Sequence, residues 1–115
     1  MLLTLSRENG CDYCTAAHSM IADKVSKLSA DDLAAIRGGT TLPDAKLNAL
    51  SLFTSHVHDT RGLITKAAAK DFVAAGYSEN QILEVILALS VKILSNYSNH
   101  IFHTDVDAAF EAYKV

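Results

Sequence analysis

No stretch of this 115-residue chain reaches the ~18 unbroken apolar residues that a membrane-spanning helix needs. No segment reads as a strand. Basic runs are missing too: the ten Lys and Arg are scattered and the net charge is -3. A phosphate backbone wants a basic face, so nucleic acid is not an expected partner. Repeats, low-complexity tracts and linkers are absent, and the length suits one domain, residues 1–115. The opening MLLTLSRENG is apolar but has no positive n-region and no small-residue cleavage site, so no signal peptide is expected. Cysteine is scarce, with two residues in all. Without export signals, such a pair points to the cytoplasm, where close cysteines are more often catalytic or metal-binding than structural.

What is present is helical punctuation and a generous apolar fraction, 50% of residues. Asn9-Gly10 stops a first helix over residues 1–9. A second helix is predicted from about Cys11 to Lys27, with Ala17, Ile21, Val25 and Leu28 as its apolar stripe. Ser29 to Asp32 reads as a capping-box-like start for a short helix that stops at Gly38-Gly39. Pro43 suits the first turn of a longer helix, roughly 43–60, ended by Gly62. Thr65 caps the next, which Gly76 ends in a left-handed conformation. Ser78, with Gln81 three later, opens SENQILEVILALSVKILSNYSNH. Thr104 or Asp105 caps a last short helix. The expectation is an all-α domain of about six helices. Within the long helix, Val85–Leu94 is apolar nearly all round and must be covered on most sides. In so short a chain a homo-oligomer could supply that cover.

The chemistry concentrates in ENGCDYCTAAHSM, Glu8 to Met20. On a helix, Cys11, Cys14 and His18 stand about one turn apart on one face. Cα atoms at i and i+3 lie roughly 5 to 6 Å apart, within the range a disulfide tolerates. The break at Gly10 puts both cysteines in the first turns of a helix, where free N–H groups and the macrodipole favour thiolate. His18 can take the Cys14 proton, or leave an imidazolium beside it. A nucleophile, a base one turn away and a second thiol make up a thiol redox site. Peroxide would oxidise the thiolate to a sulfenic acid, and the second cysteine would condense with it to a disulfide. The motif is not thioredoxin-like, since no strand precedes it. It is not haem attachment, since Thr15 follows the second cysteine.

ENGCDYCTAAHS, then AAGYSENQILEVILALSVKILSNYSNH and a closing Asp, resemble the AhpD-like alkylhydroperoxidase and carboxymuconolactone decarboxylase family over about residues 5–107. The resemblance implies an all-helical fold, a homo-oligomer (trimer or hexamer) and reduction of a hydroperoxide at the cysteine pair. It implies that Cys14 is the peroxidatic cysteine, that Cys11 resolves, and that His18 belongs to a proton relay. An external dithiol or disulfide reductant resets the pair, and no metal or organic cofactor is required. The decarboxylase branch generally lacks the CxxC, so the motif favours the antioxidant branch. The family's relay glutamate stands about three helical turns before the first cysteine, which here falls ahead of Met1. Glu8 is the nearest carboxylate to stand in for it, and Glu84 a weaker one.

Other readings accompany this one. Cys11, Cys14 and His18 could hold zinc, with His56, His58, His100 or His103 as a fourth ligand, in an assembly protein. A disulfide-switched assembly protein and a lactone-acting decarboxylase are the remaining alternatives. His56 and His58 point about 200° apart on a helix, which suits solvent or a subunit contact rather than a shared metal. His100 and His103 read as interface or capping groups. Asn96 or Tyr97 could line the pocket, and Tyr13 points away from the cysteines, into packing.

Overall fold

A computed structural model describes residues 1–115 and contains no strand. Six α-helices follow one another: α1 Leu2–Glu8, α2 Asp12–Met20, α3 Ala30–Gly38, α4 Ala45–Asp59, α5 Lys66–Ala74 and α6 Glu79–Phe102. Their starts are set by side-chain caps. Ser29 accepts from the Asp32 N–H, Thr65 from the Ala68 N–H, and Ser78 forms a complete capping box with Gln81. Gly39 at φ +67° and Gly76 at φ +101° take the left-handed conformations that end α3 and α5.

The α1–α2 junction is the tightest in the chain. Gly10 takes φ +64°, its N–H donates to the Arg7 carbonyl at 2.9 Å, and the Cys11 N–H donates to the Ser6 carbonyl at 3.0 Å. That pair of bonds is a Schellman motif, closing the carbonyls at the end of α1. Cys11 is at once the N-cap of α2, its carbonyl accepting from the Thr15 N–H at 2.8 Å. One residue therefore ends one helix and starts the next.

Three sequence expectations are corrected. The helix predicted from Cys11 to Lys27 stops being α-helical at Met20 and continues as a π-helical turn, Ile21–Val25, before Lys27 turns away at φ 53°. None of Ala17, Ile21, Val25 and Leu28 is buried; α2 buries Cys14, Thr15, Ala16 and Ser19 instead. The physical reason is the short link to α1, which brings the two backbones close and selects small side chains between them. Pro43 lies outside α4, because Asp44 caps it by accepting from the Leu47 N–H at 2.8 Å. Neither Thr104 nor Asp105 caps the final segment. It is a 3-10 helix, Ala108–Tyr113, entered at Asp107.

Two interiors result. Near one end Phe53, Val57, Phe72 and Val85 are buried together, with Phe72 stacked between Phe53 and Tyr77 at centroid distances of 4.1 and 4.5 Å. Around α1 and α2 the buried set turns polar: Thr4, Ser6, Thr15, Ser19, Lys92 and Asn96. Helix α6 crosses both regions. Its outer side leaves Leu83, Leu87, Val91, Leu94, Ile101 and Phe102 exposed. No helix is long and apolar enough to cross a membrane.

Candidate active site

Cys11 and Cys14 are both free and both buried, at 1% and 5% exposure. Cys14 stands in the first turn of α2, where backbone N–H groups have no helical acceptor and the macrodipole is positive. From across the interior α6 presents Lys92, Asn96 and Asn99, successive turns of one face. The Asn99 side-chain amide lies 3.2 Å from the Cys14 sulfur and 4.0 Å from that of Cys11. Asn96 is fully buried; its Oδ1 accepts from Asn9 Nδ2 at 2.9 Å, while its own Nδ2 has no hydrogen-bond partner. Lys92 is 2% exposed, and no carboxylate lies within 4.0 Å of its ammonium.

The two thiols are driven in opposite directions. Burial pushes Cys11 up, the Cys14 side chain adds to it, and the Cys14 backbone N–H does not offset them. Burial also pushes Cys14 up, but hydrogen bonding with Cys11, the charge of Lys92 with its hydrogen bonding, and the Asn99 amide outweigh it. Cys14 therefore ends below the ordinary thiol value and Cys11 above it. His18 is pushed down to about 4 by burial, then by the charge of Lys92 and of the chain's N-terminal amine. It is a neutral imidazole near neutral pH. Of the two roles open to it in the sequence, this environment disfavours an imidazolium beside Cys14. It makes no hydrogen bond to either sulfur.

Glu8 points away from the cysteines. Its Oε1 accepts from Arg7 Nη2 at 2.9 Å and from the Ser55 hydroxyl on α4, and its Oε2 faces His58 Nδ1 at 3.6 Å. His58 Nε2 in turn meets Asn9 Oδ1 at 2.9 Å. A polar chain thus runs from Glu8 of α1 through His58 and Asn9 to Asn96 on the buried face of α6. Glu84 is exposed and takes no part.

Sequence reasoning missed Lys92, and it read His58 as a zinc ligand or a solvent or subunit contact, whereas His58 turns inward to Glu8 and Asn9. A lysine inside an apolar run reads as the solvent side of a helix, and nothing local marks it as the buried one. His58 finds its partners about fifty residues earlier in the chain (Glu8 and Asn9). Of the two residues expected at the pocket, Asn96 is buried beneath the site and lines no cavity, whereas Tyr97, half exposed and stacked on His100, borders one that holds neither cysteine. Tyr13 donates to Asp107 at 2.7 Å and packs edge-on against Phe110, the packing role its direction implied.

Glu8, His58 and Asp59 bring ligand atoms within 4.8 Å of one another, but Arg7 and Ser55 already hold one oxygen of Glu8. Cys11, Cys14 and His18 form no such cluster, which removes the geometric support for a zinc site there. A cavity of about 270 Å³ opens onto Cys11 between Gly10, Tyr13, Asn99 and His103. A larger one of about 760 Å³, bordered by Asn9, His58, Leu89 and Tyr97, is lined by neither cysteine. Among known proteins, no family model and no curated sequence matches this chain.

Proposed function

We propose that the protein is a thiol-dependent peroxidase of the AhpD-like kind, acting in the cytoplasm on a hydroperoxide. The observation that carries this reading is the asymmetric pair: two buried free thiols at one helix start, with a donor amide 3.2 Å from the second sulfur. Cys14, the thiol favoured as thiolate, attacks the O–O bond and is oxidised to a sulfenic acid as an alcohol or water leaves. Cys11, kept as thiol, attacks that sulfur, closes a disulfide and releases water. An external dithiol or disulfide reductant returns both thiols. His18 stays neutral in its buried position, and the Cys11 proton leaves with the sulfenate oxygen as water. Glu8 acts at a distance, orienting His58 and through it Asn9 and Asn96. It positions the site rather than touching the reacting sulfur.

The working form is a homo-oligomer, a trimer or hexamer by its resemblance. The exposed apolar face of α6 supports a second copy as its cover.

The test is a stopped-flow titration of reduced protein with hydrogen peroxide and an alkyl hydroperoxide, counting free thiols. Loss of two thiols per chain, abolished by Cys14→Ser, is expected. Peroxide turnover that survives Cys14→Ser would sink the reading.

A further inference from the structure

A buried lysine with no carboxylate beside it is the least explained group in the interior. Taking an ammonium out of water costs several kcal/mol unless something pairs with it. Here the acidic side chains are elsewhere: no Asp or Glu comes within 4.0 Å of Lys92. The titratable groups its charge acts on are Cys14 and His18 of α2, with Cys11 next to Cys14 and the Met1 amine next to His18. From α1 and α4, Glu8 and His58 reach the cluster only through Asn9 and Asn96. Among these neighbours only a thiol can supply negative charge, and Asn99 on the same face of α6 already points its amide at Cys14.

We propose that Lys92 is the counter-charge of the reduced cysteine pair and thereby sets its redox poise, holding the dithiol form over the disulfide. The inference rests on the disulfide cycle proposed above. In the reduced pair, a Cys14 thiolate balances the ammonium. In the disulfide neither sulfur carries charge, and the Lys92 ammonium is left without a counter-charge. The disulfide is therefore penalised, the situation that makes an oxidoreductase strongly oxidising because its reduced form is stabilised. Reduction by a monothiol such as glutathione balances as follows. Two glutathione thiols give two electrons and two protons and become glutathione disulfide. One proton stays on Cys11 as thiol, the other goes to solvent, and Cys14 remains a thiolate facing Lys92. A pair so poised is reset by a reductant of glutathione-like potential, without needing one as reducing as thioredoxin. Lys92 is a positioning charge in this scheme, and it takes no proton from the substrate.

The experiment equilibrates wild type, Lys92→Met and Lys92→Gln with mixtures of reduced and oxidised glutathione at neutral pH. Each sample is quenched by alkylation and the disulfide fraction read by mass. Methionine keeps the length and apolar stem of lysine, and glutamine provides a polar uncharged alternative should methionine perturb folding. A Cys11→Ser background reports the Cys14 thiolate alone, by its ultraviolet absorbance across pH. Removing the charge is expected to favour the disulfide at least about tenfold, a potential about 30 mV more negative. It is also expected to move the thiolate titration to higher pH. If wild type cycles but both variants keep its equilibrium and its titration, the inference about Lys92 is overturned while the peroxidase reading stands. A wild-type pair that never closes, even in excess oxidised glutathione, overturns both. Variants that shift the equilibrium towards dithiol overturn the inference by sign.

Discussion

The two faces of α6 are the reverse of what a surface helix usually carries. Its inner face holds Val85 and Ala88 over the aromatic interior, then Lys92 and Asn96 over the cysteines, all buried. Its outer face carries Leu87, Val91, Leu94 and Ile101, all more than half exposed. Ordinarily the apolar stripe points in and the charges point out. The comparison teaches that polar groups are buried beside the thiols on one face while the apolar side chains of the other are left uncovered. Donors that serve a thiol are worth most where water is excluded. Apolar side chains left outside gain only when another surface meets them.

Breaking the outer face is expected to give the largest effect. If the proposed homo-oligomer forms through this face, Leu87→Asp with Leu94→Asp should reduce it to monomer, read by light scattering on a sizing column. An unchanged mass would mean that this face is not the interface. Breaking the apolar half of the interior comes next. Phe72→Ala removes the middle ring of the Phe53–Phe72–Tyr77 stack. It should cost about 3–5 kcal/mol in urea unfolding, the range for a buried aromatic. A loss below about 1 kcal/mol would show that the stack collapses around the gap. The smallest effect sharpens the polar half. His18 has its pKa lowered from 6.5 to about 4, so the unfolded chain binds a proton more readily than the folded one between those values. Stability therefore falls as pH drops from 6.5 towards 4, and that contribution should vanish in His18→Gln. Equal acid slopes for wild type and His18→Gln would place the imidazole in solvent.

Much of this architecture was legible because caps are local. Ser29, Thr65, Ser78 with Gln81, and the Asn9-Gly10 break each act within four residues, so the sequence displays them directly. Cys11 and Cys14 were legible for the same reason, being one turn apart. The second helix was misjudged because Ile21 and Val25 look like core residues, while the close approach of α1 admits only small side chains beside it. The partners of the cysteines were hidden, apart from a hint at Asn96, because they arrive from about eighty residues away (Lys92, Asn96 and Asn99). Periodicity says which helix they belong to and nothing about what they face. Glu8 was found as a residue but not as a direction, since its carboxylate turns to α4.

The link at Gly10–Cys11 has a dynamic consequence. The amide of Cys11 is tied to Ser6 and its carbonyl to Thr15, so the backbone there has no slack. What remains free is one torsion, the turn of its sulfur about the Cα–Cβ bond. A change of state at this sulfur is then a side-chain motion rather than a local unfolding event on the μs–s scale. The hydrogen bonds that join the two helices at Cys11 do not involve its sulfur and so do not depend on that sulfur's state.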